Sequence, residues 1–313
     1  MTRRRRFRRA IELGRTVSLS AVALVGLVLT VTVISACDAD RAEAVRAYNE
    51  GMQAFEGAGA SAAAQHMELA LEEDPTFTAA AYTLGQIQQQ RLSDPEAAEQ
   101  SFRQALDHDP GNERFAYRLG TALADQGEHE SAIEYFAEAI EADPNYARAW
   151  YDKGVSQDGA GDPLAAVDSF ATAIELEPQL RLDEDDPGGE HYHALGDLYH
   201  RYRLYDHAAD VYENAVKNNP KSVRLYHGLG VALMELERFD EAVEQFEAAL
   251  EIEEDHPSAN FNIAVAMHEA GDTDAAIDQL GTLAERGGEA MTPARRAATE
   301  ALLEELEAEQ DEQ

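Results

Sequence analysis

An all-α solenoid, a row of short helical hairpins each stacked on the next, is the fold class that the sequence predicts, and three observations predict it. A small residue recurs at Gly51, Gly85, Gly120, Gly154, Gly196, Gly230 and Ala264, at spacings of 34, 35, 34, 42, 34 and 34, and periods of this length mark repeat architectures. Twelve or thirteen residues after each stands an alanine, at Ala63, Ala98, Ala132, Ala166, Ala208, Ala242 and Ala276. One turn further come Met67, Phe102, Phe136, Phe170, Tyr212, Phe246 and Leu280, and three residues on Ala70, Ala105, Ala139, Ala173, Ala215, Ala249 and Leu283. Positions i, i+4 and i+7 form one stripe of one helix. The third observation is punctuation. Five units close at Pro75, Pro110, Pro144, Pro178 and Pro220, each preceded by Asp, Glu or Asn, and proline cannot continue a helix.

The N-terminus has its own logic. Seven arginines (Arg3, Arg4, Arg5, Arg6, Arg8, Arg9, Arg15) precede the uncharged apolar run Val17 to Ile34, the n-region and h-region of an export signal. A helix over that run reaches about 27 Å, enough to cross a bilayer core, with its basic end in the cytoplasm. The following Ile34-Ser35-Ala36-Cys37 resembles a bacterial lipoprotein lipobox. The resemblance implies a signal peptide over 1–36, cleavage before Cys37, lipidation of that residue and a short tether over 37–43. The alternative is an uncleaved single-pass signal anchor; both export the body, which is expected to be extracytoplasmic and membrane-anchored.

From residue 44 the repeats resemble the tetratricopeptide repeat (TPR), matched best by the fourth copy with Trp150, Gly154, Ala166, Phe170, Ala173 and Pro178. The resemblance implies a right-handed superhelix of seven repeats, numbers 1–4 over 44–180 and 5–7 over 189–290, with a capping helix and acidic tail over 291–313. Small residues let the two helices of a hairpin cross closely: Gly on the first is expected to face Ala on the second, while the ring fills the gap between repeats. Asp94-Pro95 and Asp162-Pro163 supply an N-cap and a first helical residue. Thr292-Pro293 opens the last helix, carrying Ala297, Ala301, Leu302 and Leu303. Its acidic end from Glu304 opposes the helix dipole and should fray. Glu254 replaces the closing proline of repeat six, and Leu280 and Leu283 depart from the pattern in repeat seven. An acidic insert, Arg181 to Gly188, accounts for the 42-residue spacing; it lacks the ligand spacing of a calcium loop and is expected to divide the row into blocks of four and three repeats.

Composition removes several function classes. Sixty-one Asp and Glu against 25 Lys and Arg give a formal charge of −36 over 313 residues, which repels phosphate backbones and argues against nucleic acid. One cysteine excludes a disulfide framework and a thiolate zinc site. Phosphate-binding glycine loops, a His-Glu-x-x-His motif and a serine elbow are missing, so no enzyme activity and no cofactor are expected. Only Lys153, Lys217 and Lys221 are lysines; acid with so little lysine fits either a salt-loving source or a basic ligand.

In the family, repeat positions 2, 5, 9 and 12 face a concave groove. Position 5 is Tyr48, Tyr82, Tyr117, Tyr151, His193, His227 and Phe261, a ladder of rings suited to an extended peptide or a partner helix; the alternative is that the rings pack against their own neighbours. Position 2 adds Arg114, Arg148 and Arg224, which suit a carboxylate-bearing partner unless they pair with nearby acids. The carboxylate clamp of chaperone-binding members is not matched. His193, Asp197 and His200 share one helix face and are weak candidates for a metal. The reading is a non-enzymatic scaffold lipoprotein that gathers proteins at the bacterial envelope, resembling repeat-bearing lipoproteins of envelope assembly. An accessory subunit holding a metal or glycan through repeat five is the alternative.

Overall fold

The computed structural model describes residues 39–55, 57, 59–181, 188–254, 256–286 and 291–312. Cys37, the segment expected as signal peptide, and 182–187 of the acidic insert lie outside the described residues. Among the described residues every element is a helix and there is no strand. Helix α1 covers 39–55. The chain continues as α2 (Ala60–Glu73); α3 (Thr78–Arg91) paired with α4 (Pro95–His108); α5 (Glu113–Asp125); α6 (His129–Ala142); and α7 (Ala147–Gly159) paired with α8 (Pro163–Leu176). Then come α9 (Glu190–Arg201) with α10 (Tyr205–Asn218), α11 (Val223–Glu235) with α12 (Phe239–Ile252), α13 (Pro257–Glu269) with α14 (Thr273–Arg286), and α15 (Pro293–Glu312). Each pair is one expected repeat and α15 is the expected cap, helical through its acidic end.

Local chemistry sets the ends. Asp94 and Asp162 accept from the amides of Ala97 and Ala165 at 3.0 and 3.1 Å, and Thr292 accepts from Arg295 N at 3.2 Å, as capping requires. The five second helices that meet a proline stop two residues before it. Helix α12 stops at Ile252 without one, and Glu253 N returns to Ala249 O at 3.0 Å, so the hairpin's own closing bond suffices. The turn inside a repeat needs a left-handed residue: Gly161 supplies it at φ 84°, whereas Arg203 and Glu237 adopt φ 57° with a Cβ at some cost in strain.

Two expectations change. Residues 39–43, expected as tether, already form α1, because Arg41 reaches Asp74 at 2.7 Å and lies over the Phe77 ring at 5.7 Å. The chain does fall into two compact units, but they are Met1–Gln126 and Gly127–Gln313, not blocks divided at the insert. Phe170 shares a core cluster with Leu195 and Leu198, so repeats four and five pack together across 181–188.

The first unit buries Ala63, Met67, Ala70, Ala80, Leu84 and Ile87 in one cluster. In the second unit, the main cluster runs through α9–α13 around Tyr212 and Phe246, and another joins Ala264, Ala276 and Leu280 to Leu306 of the cap. The departures at Leu280 and Leu283 are therefore well buried. The crossing differs from the expectation in detail: the glycine meets the ring of its own hairpin. A Cβ built on Gly85 would lie 2.6 Å from Phe102, on Gly154 2.7 Å from Phe170 and on Gly230 2.5 Å from Phe246. Two hairpins add the same buried bond, Ser101 Oγ to Gln88 Oε1 at 2.7 Å and Ser169 Oγ to Gln157 Oε1 at 2.6 Å.

Gly230→Ala must displace a packed ring and should cost about 1–3 kcal/mol. Gly281 lies within α14 with open space around its Cβ position, so Gly281→Ala should gain about 0.5–1 kcal/mol from helix propensity. Denaturant midpoints of the two variants should therefore move in opposite directions.

Candidate peptide-binding groove

The two units are described separately. In the first, Tyr48 and Tyr82, four residues apart from Met52 and Gln86 on their helices, wall a depression of about 450 Å3 with Phe55 and Ile87. Tyr82 is held by ring contacts to Phe102 and Phe115, with centroids 5.9 and 5.1 Å away, and Tyr48 leans on Phe77 at 5.3 Å. Met52 and Phe55 each keep 37% exposure, large apolar side chains that remain wet. Tyr117 differs from its neighbours in the ladder: at 3% exposure it belongs to the core.

In the second unit the same register carries polar groups. Tyr151 packs on Phe170 at 5.9 Å, and burial, then Asp152 and Glu190, push its hydroxyl up to about 12. The His193 ring stands edge-on to Tyr212 at 6.2 Å. His227 packs on Phe246 and His256, both at 5.6 Å, with Nε2 at 3.2 Å from Asn262 Nδ2. Phe261 is overlaid by Arg295 of the cap at 4.9 Å, which also donates to Ser258. Apart from Tyr117, the ladder positions in both units thus pack against neighbouring side chains while keeping part of their surface.

The three arginines each meet a carboxylate of this chain. Arg224 Nη1 donates to both oxygens of Glu190 at 2.9 and 2.8 Å, a charge-assisted contact shared from one nitrogen; Arg114 and Arg148 lie 3.9 Å from Glu113 and Asp152. The metal candidates do not converge. His193 Nδ1 is 3.3 Å from Asp197 Oδ2, but the Asp197 carboxylate also accepts from Tyr212 OH at 2.9 Å. His200 turns onto the Tyr205 ring at 5.3 Å. Among the described residues no group of three His, Cys, Asp or Glu side chains is placed to hold a metal, and no helix is long and apolar enough to cross a membrane.

Sequence reasoning passed over Met52 and Phe55, although positions 9 and 12 of the first repeat point to them. It also passed over Gly228, which departs from the larger residues at its register and makes room for the Tyr212 ring: a Cβ there would lie 2.6 Å from Cζ.

A row of helical hairpins with a partly apolar groove defines a repeat protein. The tetratricopeptide repeat pattern matches residues 87–147, 117–187, 193–254 and 227–291; the chain belongs to that family, and its fold is an all-α TPR solenoid. Similar solved structures include a tetratricopeptide repeat protein from Parabacteroides merdae, 15% identical, covering 84% of this chain and 98% of that one with a TM-score of 0.55. PilF of Pseudomonas aeruginosa is 20% identical, with coverage of 68% and 93% and a TM-score of 0.52. MamA is 22% identical, with 55% and 95% coverage and a TM-score of 0.50. At these identities the likeness concerns architecture alone. No curated protein matches the chain.

Burial, then His256, Arg295 and His193, hold the His227 imidazole down to about 4 against an ordinary 6.5. The unfolded chain takes up that proton first, so stability is full above about 6.5 and falls as pH drops towards 4. His227→Phe, which copies the ring of repeat seven, should flatten the loss of denaturation midpoint between pH 7 and pH 4.5.

Proposed function

We propose that this chain is a non-enzymatic scaffold that holds a segment of a partner protein in its groove, anchored through a lipid on Cys37 at the outer side of a bacterial membrane and serving assembly of envelope machinery. The ring-lined depression of the first unit carries the reading. Tyr48 and Tyr82 are already immobilised by Phe77, Phe102 and Phe115, so a ligand that covers them orders little more of the protein. Met52 and Phe55 supply the adaptable apolar contact that partner side chains fill. The volume, about 450 Å3, suits two or three bulky side chains rather than a whole domain, which fits an extended segment or one helix face. Anchoring rests on the arginine cluster, the apolar run and Ala36-Cys37.

A photo-crosslinking amino acid at Met52 should trap a discrete protein adduct in intact cells, and the same residue at Leu69, which is exposed on the second helix, should not. Phe55→Ser should abolish the adduct while leaving the denaturation midpoint within about 0.5 kcal/mol, as expected of an exposed site. Equal adducts from both positions would remove the groove from the reading. Cys37→Ala should release the protein from the membrane fraction and end incorporation of a labelled fatty acid; retention of the variant in the membrane would favour the signal anchor instead.

A further inference from the structure

Among the described residues of the second unit, Asp197 is a groove-register carboxylate that is set in place, partly exposed and paired with no Lys or Arg. Asp197 lies next to Gly196 on α9 and accepts from Tyr212 OH on Oδ1 at 2.9 Å, while Oδ2 meets His193 Nδ1 at 3.3 Å. Its side chain keeps 57% exposure, so both oxygens retain lone pairs towards water. Tyr212 is the one hydroxyl-bearing ring in a stripe otherwise made of Met67, Phe102, Phe136, Phe170, Phe246 and Leu280. It is accommodated by glycines of two repeats, since a Cβ on Gly228 would lie 2.6 Å from its Cζ and 3.0 Å from its hydroxyl. A hydroxyl and a second glycine thus both depart from the repeat pattern at one place, and the hydroxyl so placed orients one carboxylate.

The charges around it leave Asp197 uncompensated. Burial holds the His193 imidazole below its ordinary value, so near neutral pH the ring beside Asp197 adds no charge. Burial and the Asp197 carboxylate keep the Tyr212 hydroxyl protonated and donating. Arg224 is committed to both oxygens of Glu190, and no Lys or Arg among the described residues pairs with Asp197. A carboxylate held in this way loses little freedom on accepting a further donor, and a chain of charge −36 draws cations towards it.

We propose that Asp197, positioned by Tyr212 and His193, is a recognition site for the basic side chain, lysine or arginine, of a peptide segment bound in the groove of the second unit. The proposal rests on the reading of the groove as a protein-binding surface and names the partner's chemistry: a basic segment, not the acidic one that Arg114, Arg148 and Arg224 suggest by sequence.

The test uses the full chain in detergent with isotope-labelled histidine, titrated with Nα-acetyl-lysine-N-methylamide in buffer of about 0.15 M salt, which screens diffuse attraction. The His193 ring signals should shift saturably, and the uncharged norleucine analogue should leave them in place. Asp197→Asn should weaken the response about tenfold and Tyr212→Phe about threefold, as for loss of a charged acceptor and of one bond that orients it; phenylalanine is the resident at this register in repeats two, three, four and six. A His193 response that survives unchanged in either variant, or no response in the wild type, overturns the proposal. The crosslinking at Met52 lies in the other unit, so its outcome stands or falls separately.

Discussion

The contact on which the rest depends is a ring laid directly on a glycine where two helices of a hairpin cross. Phe102 on Gly85, Phe170 on Gly154 and Phe246 on Gly230 leave no room for a methyl group, so the helices approach as closely as backbone and ring allow. Dense packing of that kind holds the crossing in one geometry. A single hairpin still exposes the far side of its ring helix, and only the next repeat covers it. Tyr212 shows this directly, touching Gly196 of its own repeat and Gly228 of the next.

The same rings shape the groove. Tyr82 leans on Phe102, Tyr151 on Phe170 and His227 on Phe246, so the groove wall is the outer layer of the core. What separates the units is the side chains beside particular rings of the ladder. In the first unit Met52 and Phe55 make the surface apolar; in the second, Asp197, Glu190 and Arg224 make it polar.

Charge follows a comparable rule. The excess of acid lets each groove arginine find an internal partner, most completely Arg224 on Glu190. Such a guanidinium offers less to a ligand than its exposure suggests, because a new carboxylate must first displace the old one. The groups with capacity to spare are carboxylates, among which Asp197 is distinguished by two fixed neighbours.

The periodicity of small residues, alanine stripes and prolines determined the number of repeats, the place of each helix and the two aspartate caps, because these depend on local chemistry that recurs every repeat. Tertiary structure decided what depends on distances between repeats. The break falls after Gln126 and not at the insert, since Phe170 packs across the insert on Leu195 and Leu198. Residues 39–43 are helix rather than tether, since Arg41 is caught by Asp74. His200 leaves the face it shares with His193, since Tyr205 offers its ring. A repeat pattern records which residues share a helix face; which of them finds a partner first is a matter of neighbours brought close only by the stack.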